Sequence, residues 1–556
     1  MRKKRSSGGL VVQAVAGTHV VLLGMHLPKA QCPGLLGFAI HRTDKTEDEK
    51  YWLSGYKTFS ATVPSPAKGL LYSSRQHPIQ GFTWSDFSAK PAHDYVYRVV
   101  ALRGTPQKPT LGKEVSVPVT TESENLQNSL HHVHFNRGAA ASQEYTRRFG
   151  DRRPDEVGPA AYDWLSRGAA EAIEAFIARA TGQGWGLLVG AYEFTGPRIL
   201  KALKAAKDRH VAVQVLYHAA NDDQKKANEK AIAEAKIGAI CKPRKAVGLT
   251  LSHNKIIVLT KAGVAKAVLT GSTNFSVGGV YGHSNVVHIC EDAGIANKYK
   301  SLWDELSRNR DKKLAAPDLD AASPLPANPP PKGTTPVFSP RPVLDALNWY
   351  AAAAKGANDA LFMSFAFGMH PVFQDAYQNG TAPLRYALME KMSGPGKKEQ
   401  VEENEKKIIA LRKKVENKFA VGAFLPNGAF DRWLKEKLSG LNVHVKYVHT
   451  KYMLVDPLGP NPLVVTGSAN FSVASTTNND ENMLLIRGDT RVADVYLGEF
   501  MRLYNHFAFR DWLNSQKHPE VAEISHLDEK DKWWRDYFGA TFRSRQRQYF
   551  AGVTGD

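Results

Sequence analysis

The chain has 556 residues, too many for one ordinary domain, and 43% of them are apolar, enough for several sizeable cores. Its 73 Lys and Arg against 54 Asp and Glu leave a net charge of +19, which favours a polyanionic partner, nucleic acid or an acidic membrane surface, and says nothing of the fold. Three scattered cysteines, Cys32, Cys241 and Cys290, form neither a disulfide framework nor a metal motif, and no run of about 18 apolar residues occurs, so a cytoplasmic protein without a spanning helix is expected.

The basic opening "MRKKR" leads into an apolar stretch broken by Gln13, which reads as a strand behind a basic arm rather than a signal peptide. Over residues 1–120, short apolar runs such as "HVVLLGMHL", "GFAIHRT", "YVYRVVAL" and "KEVSVPVTT" alternate with turn clusters, the texture of an all-β sandwich. The segment "AKPAHDYVYRVVAL" resembles the late strand of a fibronectin type III domain, with Tyr95 as its corner tyrosine.

From residue 121 the pattern becomes helices between strands and predicts an α/β lobe over 121–313. Residues 314–332 are rich in proline and read as a stiff linker without helix or central strand. The α/β pattern restarts over 333–510: "VHFNRG" is echoed by "PVFSPR", and "WGLLVGAYEF" by "ALFMSFAF", so the chain reads as an internal duplication. In the second copy "GKKEQVEENEKKIIALRKKVENK" predicts a solvated amphipathic helix with Ile408, Ile409 and Leu411 buried. The tail, 511–556, sets Trp533, Trp534, Tyr537, Phe538 and further aromatics among arginines, expected as anchors packed on the body.

The two copies carry one motif. "HNKIIVLTKAGVAKAVLTGSTNFSV" from His253 and "HTKYMLVDPLGPNPLVVTGSANFSV" from His449 align without a gap, with 11 of 25 residues identical. His and Lys two apart in an extended run point to the same side, so each copy brings an imidazole and an ammonium to one spot. Gly271 and Gly467 permit close backbone approach, while Ser272, Asn274, Ser468 and Asn470 add hydrogen-bonding groups. Paired about a pseudo-twofold axis, these residues make a pocket suited to a phosphodiester. One neutral imidazole attacks, a protonated one serves the leaving oxygen, and Lys255, Lys451, Asn274 and Asn470 hold the phosphoryl oxygens, with no cofactor or metal called for.

The copies resemble the paired HKD motifs, HxK(x)4D followed by GSxN, of the phospholipase D superfamily, over roughly residues 130–510. The resemblance implies a two-lobed α/β fold with a mixed sheet flanked by helices in each lobe, metal-independent transfer through a phosphohistidine, and substrates from phospholipids to DNA and RNA. It assigns His253, Lys255, Ser272 and Asn274 to the first motif and His449, Lys451, Asp456, Ser468 and Asn470 to the second. Thr260 departs from the pattern by standing where the first copy should have Asp. Family members also carry an acidic residue about eleven positions after the motif Asn that bonds the histidine of the other lobe; Glu481 fits, whereas the first copy has Asn285 there. On that pattern Glu481 supports His253 as nucleophile, and His449, facing Asn285, is the general acid.

The run "HHVH", His131–His134, has no partnering Cys or carboxylate pattern and reads as structural. Three functions stay open: a nuclease, a phospholipase D or phospholipid transferase, and a binding protein without turnover. A nuclease needs a basic groove, for which Lys242, Arg244 and Lys245 ahead of His253 are the candidates; a lipid enzyme needs exposed apolar loops. Residues 1–120 hold +9 of the net charge and residues 121–315 hold +8, which tilts the expectation towards nucleic acid.

Overall fold

The computed structural model describes every residue except 139–141, 424–432, 435, 443–444, 516–524 and 556. Burial alternates along the first part of Leu10–Ala16, where Leu10, Val12 and Ala14 are buried, and along the end of Lys108–Thr120, where Val115, Val117 and Val119 are buried with exposed residues between them, as strands covering one core do. They belong to two four-stranded antiparallel sheets: Arg2–Ser7, Leu10–Ala16, Val21–His26 and Thr83–Asp86 in one, and Lys108–Thr120, Asp94–Thr105, Gly37–Asp44 and Glu49–Trp52 in the other. Val12 and Met25 from the first meet Ile40, Tyr97 and Val117 from the second in one core. Tyr95 is buried there, and its hydroxyl accepts the Lys90 N–H at 2.9 Å.

Two mixed sheets follow. The first runs in space His131–Phe135, Val286–Cys290, Val264–Gly271, Lys255–Lys261, Trp185–Ala191, Ala212–His218, Cys241–Arg244. The second runs Leu251–Ser252, Asn479–Arg487, Leu463–Gly467, Tyr452–Val455, Ala360–Phe365, Leu384–Met389, Asn417–Val421, and Gly333–Ser339 also pairs with Asn479–Arg487. Between the sheets, Ile256 and Val258 share a core with Tyr452 and Leu454 and with the helices Ala293–Ser307 and Thr490–Ser515. The outer faces are covered by Ala169–Ala178 and Pro197–Asp208 on one side and by Asp345–Lys355 and Pro371–Asn379 on the other. The duplication is thus a pair of α/β lobes packed through their inner faces.

Two local expectations fail. The proline-rich stretch contains the helix Lys312–Ala322 with Pro317 inside it. Asp311 caps it by accepting the Lys313 N–H at 2.8 Å, and Ala315, Ala316 and Leu319 are buried; this packing outweighs the hydrogen bond that proline removes. The charged run does form a helix, Lys398–Arg412, and buries Ile408 and Leu411, but Ile409 is 45% exposed, one position off the covered stripe.

The tail aromatics are anchors. Trp534 and Phe538 enter the N-terminal core, while Phe542 and Phe550 enter the core between the lobes. The helix Phe542–Ala551 lies so close to Val21–His26 that a Cβ at Gly24 would sit 2.1 Å from the Phe550 carbonyl carbon. Arg2 pairs with Asp494 at 2.7 Å, so both chain ends tie the N-terminal sheets to the second lobe.

Candidate active site

The exchange of short segments between lobes builds the site. Leu251 and Ser252, just ahead of His253, pair in parallel with Asn479 and Asp480, just ahead of Glu481, and the His253 N–H donates to the Asp480 carbonyl at 3.0 Å. The mirror contact is a parallel bridge between Ser284 and Val448, with the His449 N–H donating to the Ser284 carbonyl at 3.2 Å. Each histidine is therefore delivered to the residue after the other lobe's bridging segment. His253 Nδ1 lies 2.9 Å from Glu481 Oε2, and His449 Nδ1 lies 2.9 Å from Asn285 Oδ1. Both crossed pairs are those the motif alignment predicts.

The histidines and lysines stand at the entry to the strands Lys255–Lys261 and Tyr452–Val455. Lys255 Nζ donates to the His253 carbonyl and Lys451 Nζ to the His449 carbonyl, so each ammonium is tied to its own motif. Both glycines are required: a Cβ at Gly271 would lie 2.2 Å from the Val286 carbonyl oxygen, and one at Gly467 2.2 Å from that of Asn482. The motif serines act on the backbone, Ser272 Oγ accepting the Val286 N–H at 3.1 Å and Ser468 Oγ the Asn482 N–H at 3.0 Å. Among the described residues the side-chain oxygens of Asn274 and Asn470 are buried without a hydrogen-bond partner, a matched pair across the two copies.

Burial dominates the electrostatics. His253 is 4% and His449 5% exposed, and Lys255 and Lys451 are more buried still. Burial pulls His253 down to about 4 against the opposing pull of Glu481, and pulls Lys255 down to about 7. His449 and Lys451 are held well below their usual ranges by burial and then by the neighbouring lysines. A pocket that crowds four basic groups this way prefers them neutral when empty and charged around an anion.

Two assigned residues stand elsewhere. Asp456 lies five positions beyond Lys451, about 16 Å along an extended chain, and accepts the N–H groups of Asn358 (3.1 Å), Asp359 (2.7 Å) and Ala360 (3.0 Å). It fixes the entry to Ala360–Phe365, which explains why Thr260 at the matching position leaves the centre intact. Arg244 is no surface cation: it is 2% exposed and forms a forked pair with Asp480 at 3.0 and 3.1 Å across the lobes. Lys242 and Lys245 are exposed.

Residues the motif did not single out complete the walls. The Tyr192 ring lies 4.9 Å from that of His253, and the Ser252 N–H donates to His218 Nδ1 at 3.0 Å. His283 stacks on His449 with ring centres 4.3 Å apart. Its signal in the sequence is register: it stands two before Asn285, as Asn479 stands two before Glu481. The "HHVH" run is structural, with His131 Nδ1 2.9 Å from His288 Nε2, and His288 Nδ1 2.9 Å from the Tyr496 hydroxyl.

The family model described as "Cardiolipin synthase, PLD-like domain" matches residues 175–306 and 407–504, one segment in each lobe. A protein named phospholipase D from Rickettsia bellii is 32% identical over 115 residues, 20% of this chain and 52% of that one. The chain thus spans about half the length of this curated relative. Among solved structures, phosphatidylserine synthase from Haemophilus influenzae is 12% identical over 69% of this chain and 94% of its own, with a TM-score of 0.44. Nuc from Salmonella typhimurium, a phospholipase D family member, is 27% identical over 25% of this chain and 88% of its own, at 0.21. The class is that of the PLD-like domain. The chain carries a segment of that class in each lobe, preceded by antiparallel β-sheets.

Proposed function

We propose that the protein is a phosphodiesterase that attacks its substrate with His253 and passes through a phosphohistidine. The observation carrying this is the crossed support of two buried imidazoles, one on a carboxylate and one on an amide. Glu481 accepts the His253 Nδ1 proton and leaves the Nε2 lone pair free to attack phosphorus. As the Nε2–P bond forms and the bond to the leaving oxygen breaks, His449 gives its Nε2 proton to that oxygen. His449 then takes a proton from water, whose oxygen attacks phosphorus; the Nε2–P bond breaks, and a phosphomonoester leaves. Lys255, Lys451, Asn274 and Asn470 hold the non-bridging oxygens, and the arriving anion restores charge to the lysines. This chain supplies its own positive charge at phosphorus, so EDTA should leave activity intact.

For the substrate we favour DNA or RNA presented as a slim single strand. The support is the charge of +19, the exposed Lys242 and Lys245, and imidazoles too buried for a duplex to approach. A second reading, a phospholipid, draws on the exposed Val247 (71%) and Val473 (40%), on neighbouring segments joined by the Thr250 N–H donating to the Asn478 carbonyl at 2.9 Å, and on the names of the relatives. We read the N-terminal sheets as fibronectin type III-like, on the buried Tyr95 and its bond to Lys90. The test sets single- and double-stranded DNA, RNA and phosphatidylcholine or phosphatidylglycerol vesicles side by side in EDTA. Cleavage of single strands with intact vesicles supports the first reading. Vesicle hydrolysis with nucleic acids intact replaces it by the second, and no turnover of any diester refutes the phosphodiesterase.

A further inference from the structure

The amide of Asn285 has a fixed orientation. Its Nδ2 donates to the Gly279 carbonyl at 2.7 Å, a group that only accepts, so the nitrogen is identified by its partner. The oxygen therefore faces His449 Nδ1 at 2.9 Å and accepts from the Ser272 hydroxyl at 2.8 Å. Two protonation states follow. His449 must carry a proton on Nδ1, which leaves Nε2 as its exchanging atom. The second Nδ2 hydrogen of Asn285 points to His283 Nδ1 at 2.8 Å, so that nitrogen must be bare and the His283 proton sits on Nε2.

His283 is 5% exposed, and its turn is clamped by Asn136, whose Nδ2 donates to the His283 carbonyl at 2.8 Å and whose Oδ1 accepts the Asn285 N–H at 2.8 Å. Its ring lies over His449 at an interplanar angle of 21°. The other lobe uses the same register with different chemistry: Asn479 Nδ2 donates to Glu481 Oε1 at 3.2 Å, and Glu481 meets His253. In each copy the residue two positions earlier sets the group that supports the opposite histidine.

Resting on the reading of His449 as general acid, we propose that His283 is a positioning residue for it. By accepting from Asn285 it holds the amide oxygen towards His449, and by stacking as a neutral ring it keeps the His449 imidazole in the plane that aims Nε2 at the leaving oxygen. The asymmetry between the acceptor for the nucleophile, Glu481 with Asn479, and the acceptor for the acid, Asn285 with His283, assigns the two roles.

The test uses the full chain with methyl p-nitrophenyl phosphate, whose leaving group needs no proton, and methyl phenyl phosphate, whose leaving group does. His283→Leu should lower kcat/KM on the phenyl ester at least tenfold more than on the nitrophenyl ester, and His283→Asn, which keeps an acceptor for Asn285, should recover most of the loss. Equal losses on both esters in His283→Leu, with His449→Ala still selective for the phenyl ester, overturn the positioning role alone. A non-selective His449→Ala overturns the acid assignment and the proposal with it. Independently of turnover and of variant folding, ¹⁵N-histidine NMR of the unaltered protein should find Nδ1 protonated on His449 and bare on His283; a protonated His283 Nδ1 overturns the proposal.

Discussion

Replacing Glu481 with Gln separates the role of its charge from that of its shape. Glu481 is fully buried and uses both oxygens, Oε2 towards His253 Nδ1 at 2.9 Å and Oε1 for the Asn479 amide at 3.2 Å. Gln offers one oxygen, so either Asn479 or His253 loses its acceptor, and the imidazolium that forms on phosphoryl transfer loses its counter-charge. A buried hydrogen bond to a charged group contributes about 1.5–3 kcal/mol, which at about 1.4 kcal/mol per tenfold predicts a fall in kcat/KM of about 10- to 150-fold. The carboxylate also holds the His253 pKa up against burial, so in Glu481→Gln the acid limb of the kcat/KM profile should move to lower pH, never higher. The assay is hydrolysis of bis(p-nitrophenyl) phosphate from pH 4 to 9, with circular dichroism to verify the fold. A variant within twofold of the parent, or an acid limb displaced upwards, would refute the reasoning.

Arg244→Ala strands the buried Asp480 beside the strand that delivers Glu481; a loss of about 3–5 kcal/mol is expected in denaturant unfolding, and unchanged stability would show the pair contributes nothing. Asp456→Ala should cost about 1–3 kcal/mol through the N–H groups it leaves at Asn358–Ala360 while keeping kcat within about threefold; a hundredfold loss of kcat in a folded variant would return Asp456 to the centre. Burial holds His253, His131 and His218 down to about 4 and His283 to about 3, below the ordinary value of about 6.5 that they take when unfolded. The unfolded chain then binds more protons between these values, so stability is fully present above about pH 6.5 and is lost as pH falls towards 4; an unfolding midpoint that does not drop between pH 7 and pH 5 contradicts this burial.

The crossed histidine pairs were legible because a duplicated motif is a symmetry statement: aligning 253 with 449 sets 285 opposite 481, and crossing the lobes pairs each with a histidine. The misreadings share one cause. Whether Arg244 faces solvent depends on Asp480, 236 residues away, and nothing near "KPRK" encodes it. The family resemblance assigned Asp456 to the second motif, yet its carboxylate is consumed by N–H groups about a hundred residues earlier. Pro317 argued against a helix locally, and burial of Ala315, Ala316 and Leu319 overruled it. His283 could be read only by asking what orients Asn285, a question that arises once the amide's four neighbours are known.

The central claim is covalent chemistry at one of two similar histidines, and trapping the intermediate tests it most directly. His449→Ala should slow the steps after attack, so rapid quenching into alkali during turnover of a nitrophenyl diester, followed by peptide mass spectrometry, should find phosphoryl-ester mass on His253 and none in His253→Ala. Label on residue 449 of the unaltered protein, or sustained turnover by His253→Ala, would contradict the account.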